Sequence, residues 1–480
     1  MKKHTVKKTV LILAAALLLT ALAGCGLHTV RESAAVLRVE DSVLLVSAAE
    51  TGPVTYGAVL TLSRSVDSAD VAAVSTNGTG RLVTGVYLSD ENGQAVSGAS
   101  DHVTVTFRQT NEDGTALLSL NEQEHMQWNE DYRLTVTLTV NGSEELTYDT
   151  DAVSDISSSE LDHFSVTGEY SGTYTNPLTG TQDDLTLTYA AYEPEDISGG
   201  ERNPLIIYLH GRWEGGSDMS TAILDNEVAA LAEEEIQSCF TAGDETGAYV
   251  LLVQTPTYWM DAGDGEEGEG DRCSRYTKIL MDTILYYLEQ NPDADPDRIY
   301  LGGGSNGGYM TIEMLIHYPD FFAAAFPISE AYSYYDYATR NNGDYITDFR
   351  GEPIISGVNI TDSDIQALCR TPIWFVQASS DAVVSARRCM LPLYKALLQA
   401  GAENCLCSLY DRVVGDEGAG TVYNNHWAWI YVFNNEVSYV QDTNTVLSSR
   451  NPWTMGYRAN SVGGTVGTEG LFVWLNAQSL

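Results

Sequence analysis

Hydrophobic and polar positions follow two different rules along this chain. From about Val36 to Tyr148, short runs of β-formers are separated by turn signals: Asp90-Glu91-Asn92-Gly93, Asn111-Glu112-Asp113-Gly114 and Asn141-Gly142. From Leu134 to Val140 apolar and polar residues alternate with a period of two, as a strand with one buried face requires. This spacing predicts antiparallel strands without helices, folded as a small β-sandwich over residues 36–150. The stretch has no cysteine, so packing alone must hold its two sheets together.

A segment rich in Asp and Ser (residues 151–160) leads to the second rule. From 161 to 480, uninterrupted apolar runs alternate with helix patterns. Strands are predicted at Leu185–Tyr192, Ile206–Leu209, Tyr249–Val253, Arg298–Leu301, Ala324–Ile328 and Ile373–Val376. Helices are predicted around Ala222–Glu235, Tyr276–Glu289, Asn306–Tyr318 and Leu391–Ala400. Strands apolar on both faces, alternating with helices, imply an α/β domain with a doubly wound, mainly parallel sheet.

The first 24 residues fit neither rule. Lys2, Lys3, Lys7 and Lys8 precede an apolar run, Val10–Leu22, which is short for a bilayer span. The run ends in Leu22-Ala23-Gly24-Cys25, which resembles a bacterial lipoprotein signal. That resemblance implies cleavage before Cys25, lipidation of Cys25, a tether over residues 25–35, and a body working outside the cytoplasm. The membrane would be met only through the lipid. The alternative is an ordinary secretory signal followed by a chance cysteine.

Composition narrows the field further. The chain has 480 residues, 44% of them hydrophobic, which is enough for a large core; its net charge of −41 disfavours nucleic acid and anionic lipid surfaces as partners. After the first eight residues only Lys278 and Lys395 remain as lysines. Cys239, Cys273, Cys369, Cys389, Cys405 and Cys407 could pair outside the cytoplasm or stay as buried thiols. Cys405 and Cys407 would share one strand face, where a bridge between them would be strained. No Cys/His cluster has zinc spacing, and no metal or cofactor is expected.

The sharpest chemical signal is Gly302-Gly303-Gly304-Ser305-Asn306-Gly307-Gly308, between a predicted strand and a predicted helix. Its Gly303-x-Ser305-x-Gly307 core is a nucleophile-elbow pattern. A phosphate-cradling loop is the rival, but the lysine that such a loop needs is missing. A serine nucleophile needs a base, and the base an orienting carboxylate, in the chain order Ser, acid, His for this architecture. Asp381 lies just past the apolar strand that begins at Ile373. His426, in Asn425-His426-Trp427, is the only histidine after it. His317 reads as structural. Backbone N–H groups of Asn306 and of Arg212, in Leu209-His210-Gly211-Arg212-Trp213-Glu214-Gly215-Gly216, are the expected oxyanion donors, with His210 bracing the loop.

These stretches together resemble the α/β-hydrolases of the extracellular esterase and peptidase group. The group includes polyhydroxybutyrate-depolymerase-like and feruloyl-type esterases and prolyl oligopeptidase-type catalytic domains. The resemblance covers about residues 164–480. It implies a serine hydrolase with Ser305, Asp381 and His426 as its triad, preceded by an immunoglobulin-like domain as in some secreted esterases. Arg212-Trp213 departs from the smaller residues common in that group. The expected activity is hydrolysis of acyl or aryl esters, carbohydrate-linked esters among them, with peptide hydrolysis as the alternative. A non-catalytic binding lipoprotein with a vestigial triad is the reading from another class. Trp213, Glu214, Tyr258, Trp259 and Trp427 are expected to wall the pocket. Two loops would flank it: Thr255–Arg272, with an acidic run at 264–271, and Ala331–Ile360, with Tyr332, Tyr334, Tyr335, Tyr337 and Tyr345. The acidic run lacks the spacing of a helix-loop-helix calcium site and reads as solvated.

Overall fold

In the computed structural model, eight strands make the central sheet. Their order is Val166–Thr175, Gln182–Tyr192, Tyr249–Gln254, Asn203–Leu209, Ala294–Gly304, Ala324–Ile328, Ile373–Ala378 and Cys405–Tyr410. The first two strands are antiparallel additions at one edge, and the other six run parallel. The structure describes residues 36–109, 116–150, 153, 155–194, 202–243, 245–268, 270, 273–340, 344–351, 353–415, 422–438, 440 and 470–480. The expected signal, Cys25 and the tether lie outside them.

Burial explains the uninterrupted apolar strands. Leu205, Ile207 and Leu209 pack on one face against helices Thr277–Gln290, Asn306–His317 and Met390–Ala400. Ile206 and Tyr208 pack on the other face against Trp429–Phe433 and Leu471–Asn476. Each fully buried side chain of this size contributes about 1.5–3 kcal/mol, so both faces must be covered for the strand to be stable. Cys405 and Cys407 share the first face while Leu406 turns to the second, and all six described cysteines are free thiols.

The helix expected around Ala222–Glu235 is broken. Met219–Leu224 is α-helical, the chain then turns through left-handed φ at Asn226 (53°) and Glu227 (62°), and a short helix follows at Glu234–Gln237. The break places Asp225 and Asn226 at the edge of the main cleft instead of on a helix face.

Residues 39–157 form two further sheets, five-stranded and four-stranded, whose strands pair antiparallel apart from one parallel addition. Val46, Leu60 and Val105 from one sheet and Val74, Val136 and Leu138 from the other share a core. The Leu134–Val140 strand alternates in burial as its sequence does. The Asp/Ser-rich segment is not a free linker throughout, because Ile156–Ser157 adds the parallel strand beside Leu44–Leu45.

This all-β part is joined closely to the α/β part. Its hairpin Leu118–Leu120/Met126–Trp128 lies over the loop after strand Asn203–Leu209. Met126 N–H donates to Trp213 O (2.7 Å), Tyr258 OH donates to Gln123 O (2.9 Å), and Trp128 Nε1–H donates to Ser220 Oγ (3.1 Å). No helix among the described residues is long and apolar enough to cross a membrane.

Candidate active site

Strand Ala294–Gly304 delivers the chain directly into helix Asn306–His317, with Ser305 alone between them at φ 54°, ψ −110°. So sharp a turn brings backbones together. A Cβ on Gly303 would meet the Gly307 backbone at 2.5 Å, and one on Gly307 would collide with the carbonyls of Leu209 and His210. Those two glycines are therefore required by close approach. The Ser305 N–H donates to Ile328 O (2.8 Å), which ties the elbow to the neighbouring strand. Asn306 begins the helix, so its N–H has no acceptor within the helix.

His426 approaches from the segment before helix Trp429–Phe433. Its Nε2 lies 2.9 Å from Ser305 Oγ and its Nδ1 lies 2.8 Å from Asp381 Oδ2. The other Asp381 oxygen accepts the N–H groups of Val383 and Val384, both at 2.9 Å, so the carboxylate is anchored independently of the histidine. The histidine is held as well: its N–H donates to Asn424 Oδ1 (3.1 Å), and its carbonyl accepts from Ser329 Oγ (3.0 Å). The Trp429 ring meets the imidazole edge-on at 5.3 Å. Asp381 fixes the tautomer in which Nδ1 carries the proton and Nε2 faces the serine free to accept one.

The three side chains have the geometry of a serine nucleophile, its base and an orienting acid.

A cleft of about 540 Å³ opens over Ser305. Asn306 and Arg212 line it beside the serine. Beneath the Arg212 loop, His210 is buried: the Thr255 N–H donates to its Nε2 (3.1 Å) and its Nδ1–H donates to Gly211 O (2.6 Å). Both nitrogens are thus used by a neutral ring, and burial pushes the imidazole down to about 4. Glu214 and Asp225, also buried, share a hydrogen bond, and Asn226 donates to Glu214. Burial, followed by the charge of Glu214, holds Asp225 well above the usual carboxyl range. Burial also raises Glu214.

Trp213, Glu214 and Trp427 line the cleft as expected positions, but Tyr258 and Trp259 do not. Trp259 is fully buried and packs against His210 (5.3 Å) as a support under the loop. Tyr258 faces away, to the hairpin and His125. The tyrosine loop also divides. Tyr332 is buried and stacked on Tyr309, whereas Tyr337 and Tyr345 line the cleft.

Several contributors went unforeseen. Thr51 and Met126 bring the all-β part into the cleft wall. Glu267, from the acidic run, also lines the cleft and pairs with Arg212 (2.9 Å) instead of facing bulk solvent. Glu124 holds the same guanidinium from the other side (2.5 Å). No pattern of period or turn chemistry marks such partners, which lie in segments separated by long stretches of chain. Among the described residues, no group of three or more His, Cys, Asp or Glu side chains could hold a metal ion.

Known proteins resemble the chain in part or in fold. Residues 259–355, which include Ser305, match the prolyl oligopeptidase family. Over 134 residues, 26% of this chain, it is 38% identical to poly(3-hydroxyalkanoate) depolymerase C of Paucimonas lemoignei, and the match spans 27% of that protein. The fold is similar to that of a thermostable esterase, with a TM-score of 0.56 and 18% identity, covering 92% of this chain and 100% of that one. The α/β part has an α/β-hydrolase fold.

Proposed function

We propose that the chain is a carboxylic ester hydrolase acting through an acyl-enzyme. The Ser305–His426–Asp381 relay carries this reading, since both ring nitrogens of one histidine are engaged at hydrogen-bond distance. Ser305 Oγ attacks the ester carbonyl while His426 Nε2 takes its proton. The backbone N–H groups of Asn306 and Arg212 receive the oxyanion. His426 then returns the proton to the leaving alcohol, and water repeats the sequence to release the acid. The named activity of the depolymerase relative supports ester over peptide, since a polyhydroxyalkanoate is a polyester. Acyl, aryl and carbohydrate-linked esters are the substrate classes to examine.

A fluorophosphonate probe on the wild-type chain and on Ser305→Ala, followed by assays on p-nitrophenyl and feruloyl esters, tests this. Absence of labelling in the wild type refutes the hydrolase and leaves the binding-protein reading. The prolyl oligopeptidase match favours a second reading, peptide hydrolysis. Labelling with peptide cleavage and no ester turnover would select it.

The all-β part is proposed to be an immunoglobulin-like sandwich. Cys25 is proposed as the lipidated first residue of a mature chain held outside the cytoplasm. Incorporation of labelled palmitate into the wild-type chain and its loss in Cys25→Ala tests the anchor.

A further inference from the structure

On the cleft wall formed by the tyrosine loop and the segment after Asp381, Arg388 lies against two tyrosines. Its guanidinium carbon is 5.4 Å from the Tyr337 ring centre and 5.1 Å from that of Tyr345. The two rings meet edge to face at 5.8 Å. All three residues line the cleft that contains Ser305.

Within the cleft, this arginine differs from its neighbour in having no acid beside it among the described residues. The other arginine of the cleft, Arg212, is neutralised by Glu124 and Glu267. Arg388 has no carboxylate within salt-bridge distance among the described residues, in a chain with 66 Asp and Glu against 25 Lys and Arg. Stacking on aromatic faces leaves the N–H edge of a guanidinium free, and that edge matches a carboxylate with two parallel hydrogen bonds. The cleft carboxyls Glu214 and Asp225 are engaged with each other and with Asn226.

We propose that Arg388, held by Tyr337 and Tyr345, binds a free carboxylate carried by the substrate, so that the preferred substrates are esters bearing a second, ionised carboxyl group. This rests on the ester hydrolase reading above. The carboxylate can sit on the acyl side, as in a dicarboxylic monoester, or on the alcohol side, as at the end of a hydroxyacid oligomer.

Two matched pairs separate these sources: mono-p-nitrophenyl glutarate against p-nitrophenyl butyrate, and the 3-hydroxybutyrate dimer acid against its methyl ester. The wild type is expected to prefer the charged member of at least one pair in kcat/KM. In Arg388→Gln that preference should fall by about 10- to 100-fold, the range of a charged hydrogen-bonded contact. The ratio is taken on one preparation, so partial unfolding does not affect it. Arg388→Lys, which keeps charge without the planar fork, should fall between. No preference in the wild type, or an unaltered ratio in Arg388→Gln, overturns the proposal. A readout without turnover uses Ser305→Ala and calorimetric binding of glutarate and of the dimer acid. Affinity at least tenfold weaker in Ser305→Ala/Arg388→Gln supports the carboxylate site, and equal affinity overturns it. Absence of wild-type turnover with binding intact would instead count against the ester hydrolase reading alone.

Discussion

Glu124 of the all-β part and Arg212 of the catalytic loop form an ion pair at 2.5 Å, although each side chain is roughly half exposed. The pair works beside a backbone bond from Met126 N–H to Trp213 O, so one hairpin grips two consecutive residues of the loop proposed to supply an oxyanion donor. An exposed ion pair contributes at most about 1 kcal/mol. Glu124→Ala should therefore lower kcat by about two- to fivefold, with a smaller change in KM, because the loop's position matters most when the oxyanion forms. Steady-state kinetics on one chromogenic ester would show it. An unchanged kcat would mean that the loop holds its place without this tie.

Asp381 is anchored by two backbone N–H groups on the oxygen that does not meet His426. Asp381→Asn can keep that anchorage, yet its amide can present N–H to Nδ1 and favour the wrong tautomer. The expected result is a loss of about 10⁴ in kcat with little change in melting temperature. A loss below tenfold would show that His426 is oriented by its Asn424 and Ser329 contacts alone.

His210 provides a pH-dependent stability term of known sign. Its native ring is neutral, with burial lowering it from the ordinary 6.5 to about 4. Between those values the unfolded chain binds a proton that the native state does not, so stability is lost as pH falls from 6.5 and the loss levels off below about 4. Melting temperature measured from pH 7 to 4 should drop through this window. In His210→Asn the protein should be less stable at pH 7, but its own decline across the window should be shallower. Parallel curves would assign the acid sensitivity to other groups.

Much of the candidate triad's arrangement is legible in the sequence because its signals are local or unique. The glycines at 303 and 307 record backbone approach, and only one histidine follows Asp381. Trp259 was misplaced because an aromatic residue beside a site has the same composition whether it walls the cleft or supports the loop from beneath. The break at Asn226 and Glu227 was hidden because the apolar spacing continues across it. Val228, Ala229 and Leu231 still reach the core after the left-handed turn, so the pattern mimics an unbroken helix. Glu124, Met126 and Glu267 act through contacts between distant segments, and single-segment patterns contain no information about those.

The Glu214–Asp225 pair leads to the last prediction, with the opposite pH sign. Burial and the neighbouring Glu214 raise Asp225 well above 3.8 in the native state. Above the unfolded value, the native chain therefore holds a proton that the unfolded chain has released, and stability falls as pH rises through the interval. Asn at 225 can accept the Asn226 N–H, as Asp225 Oδ1 does at 3.0 Å, and can donate to Glu214 without needing a proton from solvent. Asp225→Asn should thus melt higher than the wild type by about 2 °C or more at pH 8, with a narrower gap at pH 5, because keeping Asp225 protonated costs less as pH falls. Glu214→Gln need not mimic it, because Gln would offer its amide where Asn226 already donates. Scanning calorimetry at both pH values decides the matter. A gap that is constant with pH, or that reverses at pH 8, would show that the two carboxyls do not share a proton in the native protein.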